Sequence, residues 1–215
     1  MKKQLCSLLT ALALAVGLLP SAARAAENAP SFADVPAAAW YADAVQYVYE
    51  NGLMTGVSES EFAPDGTATR GQIVTILWRL AGSPVVNYAM RYADADEGAW
   101  YGEAVRWAAS TGVVTGYTES SFGPNDAITR EQLAAILYRY IKTQGQGFTG
   151  MWYFPLRYDD AASISSWADE AMHWCVMKGL LNGTSETALS PQLTATRVQL
   201  AAILQRFCEL PKEAV

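Results

Sequence analysis

The chain has 215 residues, with 15 Lys and Arg against 21 Asp and Glu, a formal charge of −6, one histidine and three cysteines. Such an acidic chain lacks the basic field that phosphate backbones need, which excludes a general affinity for nucleic acid. Its length suits one or two domains.

The first thirty residues read as an export signal. Lys2 and Lys3 precede an apolar run from Leu8 to Leu19, and Ala23-Arg24-Ala25 offers small residues for cleavage. That run is shorter than the roughly 20 residues a bilayer-spanning helix needs, so residues 1–25 are expected to be a signal peptide, with no transmembrane anchor after cleavage and no other segment able to cross a membrane. Lys2, Lys3 and Arg24 leave with it and no acid does, so 12 basic and 21 acidic residues remain and the formal charge falls to −9. Cys6 stands at the front of the signal, which argues against lipid attachment at a mature N-terminal cysteine.

Beyond the signal one unit is used three times: 32–82, 92–140 and 158–208, with a Gly/aromatic linker at 141–157. Trp40, Trp100 and Trp167 align, as do Arg70, Arg130 and Arg197, with steps of 60 and then 67 residues in both series. Between them Gly52, Gly112 and Gly179 align, then Gly56, Gly116 and Gly183, then Pro64, Pro124 and Pro191. Such self-similarity means a small unit that cannot bury its apolar face alone. Three copies therefore share one core.

In the first copy Ala44, Val45, Val48 and Tyr49 recur at helical spacing and stop at Asn51-Gly52, where glycine tolerates a left-handed C-terminus. A Gly, Pro and Asp-rich connection follows, with Leu53 and Phe62 as core plugs. A second helix then starts at Thr69, with Ile73, Ile76, Leu77 and Leu80 as its stripe, and the later copies repeat this order. The chain is thus predicted to be mainly α: three helix-loop-helix repeats around a shared helical core.

Thr69-Arg70-Gly71-Gln72, Thr129-Arg130-Glu131-Gln132 and Thr196-Arg197-Val198-Gln199 each match a capping box, in which Thr accepts from the third helical amide and Gln reaches back. Capping explains Thr and Gln. It does not explain an arginine at the first helical position, where the helix dipole disfavours positive charge. Two readings stand: a structural pair with a carboxylate such as Asp34 or Asp94, or an anion receptor whose guanidinium fork and open helix-start amides suit a carboxylate.

Cys175 and Cys208, one on each predicted helix of the third copy, form a disulfide in an exported protein or stay as two buried thiols; both readings stand. With His173 they are too few for a structural zinc site. His173 lies between Met172 and Trp174 on a helix and reads as a packed or surface residue, not a general base. Asp94, Asp96 and Glu97 read as a solvated loop, not as the carboxyl pair held about 5 to 10 Å apart of a glycosidase. Asp65-Gly66 and Asn125-Asp126 lack the spacing of a calcium loop. No enzyme, metal or cofactor is expected.

The ordered set of an aromatic-x-Asp segment, a Trp-opened helix, a Gly-x-x-x-Gly break, a Phe-x-Pro turn and a Thr-Arg-x-Gln helix start resembles the S-layer homology domain, in three tandem copies covering nearly all of the mature chain. The resemblance implies a pseudo-threefold helical assembly, secreted and held on the cell wall, that binds secondary cell-wall polysaccharide, often pyruvylated, or another peptidoglycan-linked glycan in grooves between repeats. Position by position it implies that Arg70, Arg130 and Arg197 pair with or stand beside the ligand carboxylate. Asp34, Asp94 and Asp160 accept sugar hydroxyls or brace the arginines. Trp40, Trp100 and Trp167 line the grooves, against a bland reading as core packing, and Gly56, Gly116 and Gly183 let loop backbone approach sugar, against plain turn geometry.

The sequence departs from the family pattern at Gln72, Gln132 and Gln199, where the family usually has Glu, and in the third copy at Ala168 and Leu189, which stand for Tyr41/Tyr101 and Phe62/Phe122. Gln144-Gly145-Gln146-Gly147 and Trp152-Tyr153-Phe154 are expected to reshape or cover a neighbouring groove. Tyr41, Tyr47 and Tyr101, read as exposed, suit sugar stacking or protein contacts. Little chain is left for an appended catalytic domain, so the triplet is expected to act alone or with a separate surface protein, the alternatives to wall binding being a protein-protein or lattice module and, third, a wall-glycan hydrolase.

Overall fold

The computed structural model describes residues 32–211; the expected signal peptide, 1–25, lies outside the described residues, as do 26–31 and 212–215. The described chain forms six α-helices: α1 (Ala42–Glu50), α2 (Arg70–Leu80), α3 (Gly102–Thr111), α4 (Arg130–Thr143), α5 (Asp169–Met177) and α6 (Arg197–Cys208), with a 3-10 turn at Ala161–Ser163. None of them is long and apolar enough to cross a membrane. Because α4 runs to Thr143, the first residues of the expected linker belong to a helix.

Local chemistry sets the helix ends. Thr69, Thr129 and Thr196 are N-caps with complete capping boxes, each hydroxyl accepting from the Gln amide three residues on while the Gln side chain accepts from the Thr amide. Each such cap stabilises its helix by about 0.5 to 2 kcal/mol. At the far end of α3, Gly112 takes φ 73°, which a side chain would make costly.

Tertiary packing crosses the repeat boundaries. The extensive helix pairs are α2 with α3, α4 with α5 and α6 with α1, so the second helix of each repeat lies on the first helix of the next and the third repeat closes on the first. At the centre the segments before α2, α4 and α6 meet in a ring of backbone hydrogen bonds. The Ala68 amide donates to the Ala195 carbonyl (2.9 Å), Ala195 to Ile128 (2.9 Å) and Ile128 to Ala68 (3.0 Å). All three residues are fully buried. This closed cycle is the pseudo-threefold centre, and one continuous core surrounds it, including Phe62, Phe122, Leu133, Leu200 and Leu204. Burying such side chains contributes about 1.5–3 kcal/mol each.

The cross-repeat pairing settles the cysteines. Cys175 and Cys208 are free thiols, because α5 packs on α4 and α6 on α1 and the two helices are not each other's main partners. Burial pushes the Cys175 thiol up from its ordinary pKa, the behaviour of a small core hydrophobe.

Candidate ligand-binding grooves

Each Thr-Arg-x-Gln arginine leaves its own repeat. Arg70 Nε donates to the Phe122 carbonyl and Nη2 to the Thr115 carbonyl, both at 3.0 Å. Arg130 bonds the carbonyls of Leu189, at 3.0 Å, and Asn182, and Arg197 those of Phe62 and Thr55, at 2.8 and 2.7 Å. The arginine is thus carried away from its helix dipole to the negative ends of two carbonyls on the next repeat. Among the described residues no carboxylate lies within ion-pair distance of Arg70, Arg130 or Arg197. Of the two readings of these arginines, a direct pair with Asp34 or Asp94 is therefore absent.

The aspartates serve the loop instead. Asp34 accepts from the amides of Phe62 (2.9 Å) and Ala63 (2.6 Å), Asp94 from Phe122 and Gly123, both 2.8 Å, and from the Ser121 hydroxyl, and Asp160 from Leu189 (2.8 Å) and Ser190 (2.7 Å). Phe62, Phe122 and Leu189 are the residues whose carbonyls hold the arginines, so each aspartate braces an arginine through one residue of backbone. The second amide belongs to a residue in left-handed conformation, Ala63 at φ 55°, Gly123 at 71° and Ser190 at 53°, and two charge-assisted bonds offset the strain this costs Ala63 and Ser190. Desolvation works to raise the Asp94 carboxyl, but the Phe122 and Gly123 amides and Ser121 outweigh it and hold it below the usual range. The Leu189 amide, helped by Ser190 and the nearby Arg130 charge, depresses Asp160 against desolvation.

Burial lowers all three arginine pKa values from their ordinary range, partly opposed by Tyr117, Asp126 and Tyr92 around Arg70, Tyr158 and Asp160 around Arg130, and Asp34 around Arg197. Each guanidinium has five N–H donors, of which two are spent on carbonyls. What results is a cation, 4–6% exposed as a residue, without a contacting counter-ion.

Two of these cations open onto cavities. One, of about 230 Å³, is lined by Arg197, the Leu53–Val57 loop, Gln72, Thr75, Ile76 and Arg79 of α2, and Trp100. The other, of about 410 Å³, is lined by Arg130, Asn182, Gly183, Thr184, Gln199 and Arg206 of the third repeat, and Trp40. Each groove therefore takes its arginine from one repeat, its loop and helix from the next and its tryptophan from the one after. The corresponding residues of the third groove are Arg70, Gly116, Arg139 and Trp167. None of the residues lining these two cavities comes from 144–157; Gln146 and Gly147 line a separate small cavity beside Trp174 and Lys178. That segment lies along α4 and α5, with Phe148 stacked on Trp152 at 4.3 Å and Trp152 against His173.

Trp40, Trp100 and Trp167 are 68, 59 and 53% exposed, which removes the core-packing reading. Tyr101, expected to be exposed, is buried beneath Trp100. The glycines owe their place to the loop itself. A β-carbon at Gly56, Gly116 or Gly183 would lie 2.4 Å from a carbonyl oxygen of the same loop and 2.5–2.6 Å from the ring of Phe32, Tyr92 or Tyr158. The Tyr92 and Tyr158 hydroxyls also accept from the amides of Gly116 and Gly183, an acceptor Phe32 cannot offer Gly56.

A second arginine escaped the sequence reading. Arg79, Arg139 and Arg206 stand nine residues after the first arginine in all three copies, a repeat visible in the chain. Arg79 and Arg206 donate to the Leu53 and Leu180 carbonyls and line the cavities, while Arg139 adds its charge near Arg70. Leu189 does not abolish its groove: Arg130 keeps both carbonyls and loses only the aromatic face that Phe62 gives Arg197 at 4.6 Å and Phe122 gives Arg70 at 5.0 Å. Among the described residues no group of three His, Cys, Asp or Glu could hold a metal.

Interlocked helical repeats, with the buried Arg130 and Arg197 each lining a tryptophan-edged cavity between repeats, define the class of module. The S-layer homology domain family model matches residues 31–74, 91–134 and 157–201, and the chain belongs to that family. It is similar to an endoglucanase of Bacillus sp. (strain KSM-635), 30% identical over 210 residues, 94% of this chain and 22% of the relative. It is also similar to the S-layer protein sap of Bacillus anthracis, 26% over 207 residues, 95% of this chain and 24% of the relative. A third relative is a cellulosome-anchoring protein of Acetivibrio thermocellus, 26% over 161 residues, 73% and 35%. The chain spans between about a fifth and a third of the length of these relatives. Family and surface-layer relatives place the protein at the cell surface as a cell-wall anchoring module.

Proposed function

We propose that the protein holds itself to the wall non-covalently by binding a carboxylate-bearing, pyruvylated secondary cell-wall polysaccharide in its inter-repeat grooves. The observation that carries this is the set of buried guanidiniums with carbonyl partners and no contacting carboxylate. A buried cation without a counter-ion is costly, and an anionic ligand entering the groove supplies one. Arg130 and Arg197 offer their remaining N–H donors to the carboxylate, with Arg206 and Arg79 adding charge from the same walls. Trp40 and Trp100 stack on sugar faces at the rims, Trp167 is their counterpart beside Arg70, and Asp34, Asp94 and Asp160 keep the arginine-holding loops in shape. Gly56, Gly116 and Gly183 let those loops close tightly enough for their neighbours to line a groove. The module is non-catalytic; the endoglucanase relative shares the repeats while its name describes an enzyme.

A charge-assisted hydrogen bond contributes about 1.5–3 kcal/mol, so one groove binds modestly, and several grooves on one polymer raise avidity without new contacts. Sedimentation of the mature protein with purified walls tests this. Binding is expected to vanish after extraction of the secondary polysaccharide and after removal of pyruvate. Persistence on stripped walls would point to peptidoglycan, and absence of binding to a surface protein partner.

A further inference from the structure

We infer that Tyr117 is a specificity-determining residue that makes the three grooves unequal: its ring fills the space beside Arg70 that stays open beside Arg130 and Arg197. This rests on the reading of the grooves as carboxylate sites. The residue after the loop glycine is Val57, Tyr117 or Thr184 in the three repeats. Val57 and Thr184 line the open cavities. Tyr117 instead lays its ring 4.2 Å from the Arg70 guanidinium carbon, with Phe122 at 5.0 Å, so that Arg70 has two aromatic rings against it.

The partner position changes in step. Opposite Val57, Tyr117 and Thr184 stand Ala63, Gly123 and Ser190, and a β-carbon on Gly123 would lie 2.6 Å from Tyr117 Cε2. The ring therefore fits only because that residue is glycine. In the third repeat the same two positions are tied by a Thr184–Ser190 hydroxyl contact of 2.7 Å. A tyrosine over an arginine is an attractive pairing in its own right, so a ligand reaching Arg70 must displace a satisfied contact. Arg130 and Arg197 demand no such displacement. The protein thus offers two open carboxylate grooves and a third that is filled from within.

Calorimetric titration with a monosaccharide glycoside carrying a pyruvate ketal tests the inference. Two sites per chain are expected for the native protein, three for Tyr117→Val, and one for Val57→Tyr combined with Ala63→Gly, which rebuilds the same filling beside Arg197. Three equal sites in the native protein, or a folded Tyr117→Val chain still at two, would overturn it. A ligand-free readout separates this from the wall-binding reading. The Arg70 Nε–H resonance should carry a ring-current displacement whose Tyr117 share is lost in Tyr117→Val while the Phe122 share remains, and a signal that does not move overturns the inference whatever the wall ligand proves to be. A probe that binds none of the variants contradicts the wall-polysaccharide reading, while the Arg70 signal still decides where the ring lies.

Discussion

Replacing Arg130 by alanine separates the structural work of a groove arginine from its work as a receptor. Its guanidinium ties the second repeat to the Leu189 and Asn182 carbonyls of the third. Two bonds to a charged donor would suggest a loss of about 3–6 kcal/mol, but two effects reduce it. Asn182, which supplies one of the two carbonyls of this tie, lines a cavity of about 410 Å³ that water can enter, and removing a buried cation relieves its desolvation. A net loss of about 1–3 kcal/mol follows, and since a domain of this size moves by roughly 2–4 °C per kcal/mol, Tm should fall by several degrees with helicity intact. Binding should suffer more. Truncating one side of a buried charged contact costs about 2–5 kcal/mol, upward of roughly 30-fold at that groove. Circular dichroism melts alongside calorimetric titration of a pyruvylated wall fragment measure both. A chain that loses its cooperative melt, or one that keeps native affinity and site number, refutes the reasoning. Arg130→Lys should recover little of the binding, because an ammonium cannot span two carbonyls as a planar fork does.

Gly116→Ala forces a β-carbon within 2.4 Å of the Ser121 carbonyl oxygen and 2.5 Å of the Tyr92 ring, and should destabilise by more than about 2 kcal/mol in chemical denaturation. Trp100→Ala, at an exposed side chain, should leave the denaturation midpoint nearly unchanged while weakening wall binding several-fold in sedimentation. Asp94 and Asp160 have carboxyls depressed in the fold. Their contribution is therefore complete above the ordinary carboxylate value of 3.8 and is lost as pH falls below it through the depressed values. Acid titration followed by circular dichroism should show unfolding below about pH 4, and Asp94→Asn should flatten that dependence.

Much of this architecture was legible in the sequence because it is local. Capping boxes and the Gly112 stop depend on residues a few positions apart, and each of them formed. The cross-repeat pairing was hidden because the stripes on α2, α4 and α6 are nearly interchangeable, so nothing in Ile73, Leu133 or Leu200 says which first helix it will cover. The arginine partners were hidden for another reason. Charge complementarity pointed to Asp34 and Asp94, whereas the partners are backbone carbonyls, which every residue carries and no sequence marks. For the glycines the sequence offers sugar approach or turn geometry, and what it does not mark is the ring of Phe32, Tyr92 or Tyr158 some 24 residues earlier that, with the loop's own carbonyl, leaves no room for a side chain. Arg79, Arg139 and Arg206 recur at constant spacing, but nothing local in the sequence says that Arg79 and Arg206 face a groove.

The most direct measurement is calorimetric titration of the mature protein with purified secondary wall polysaccharide, before and after removal of its pyruvate. The groove arginines predict binding to the intact polymer that is lost on depyruvylation and weakened in Arg130→Ala and Arg197→Ala chains that still fold. Equal binding to intact and depyruvylated polymer would contradict the assignment of these arginines as carboxylate receptors.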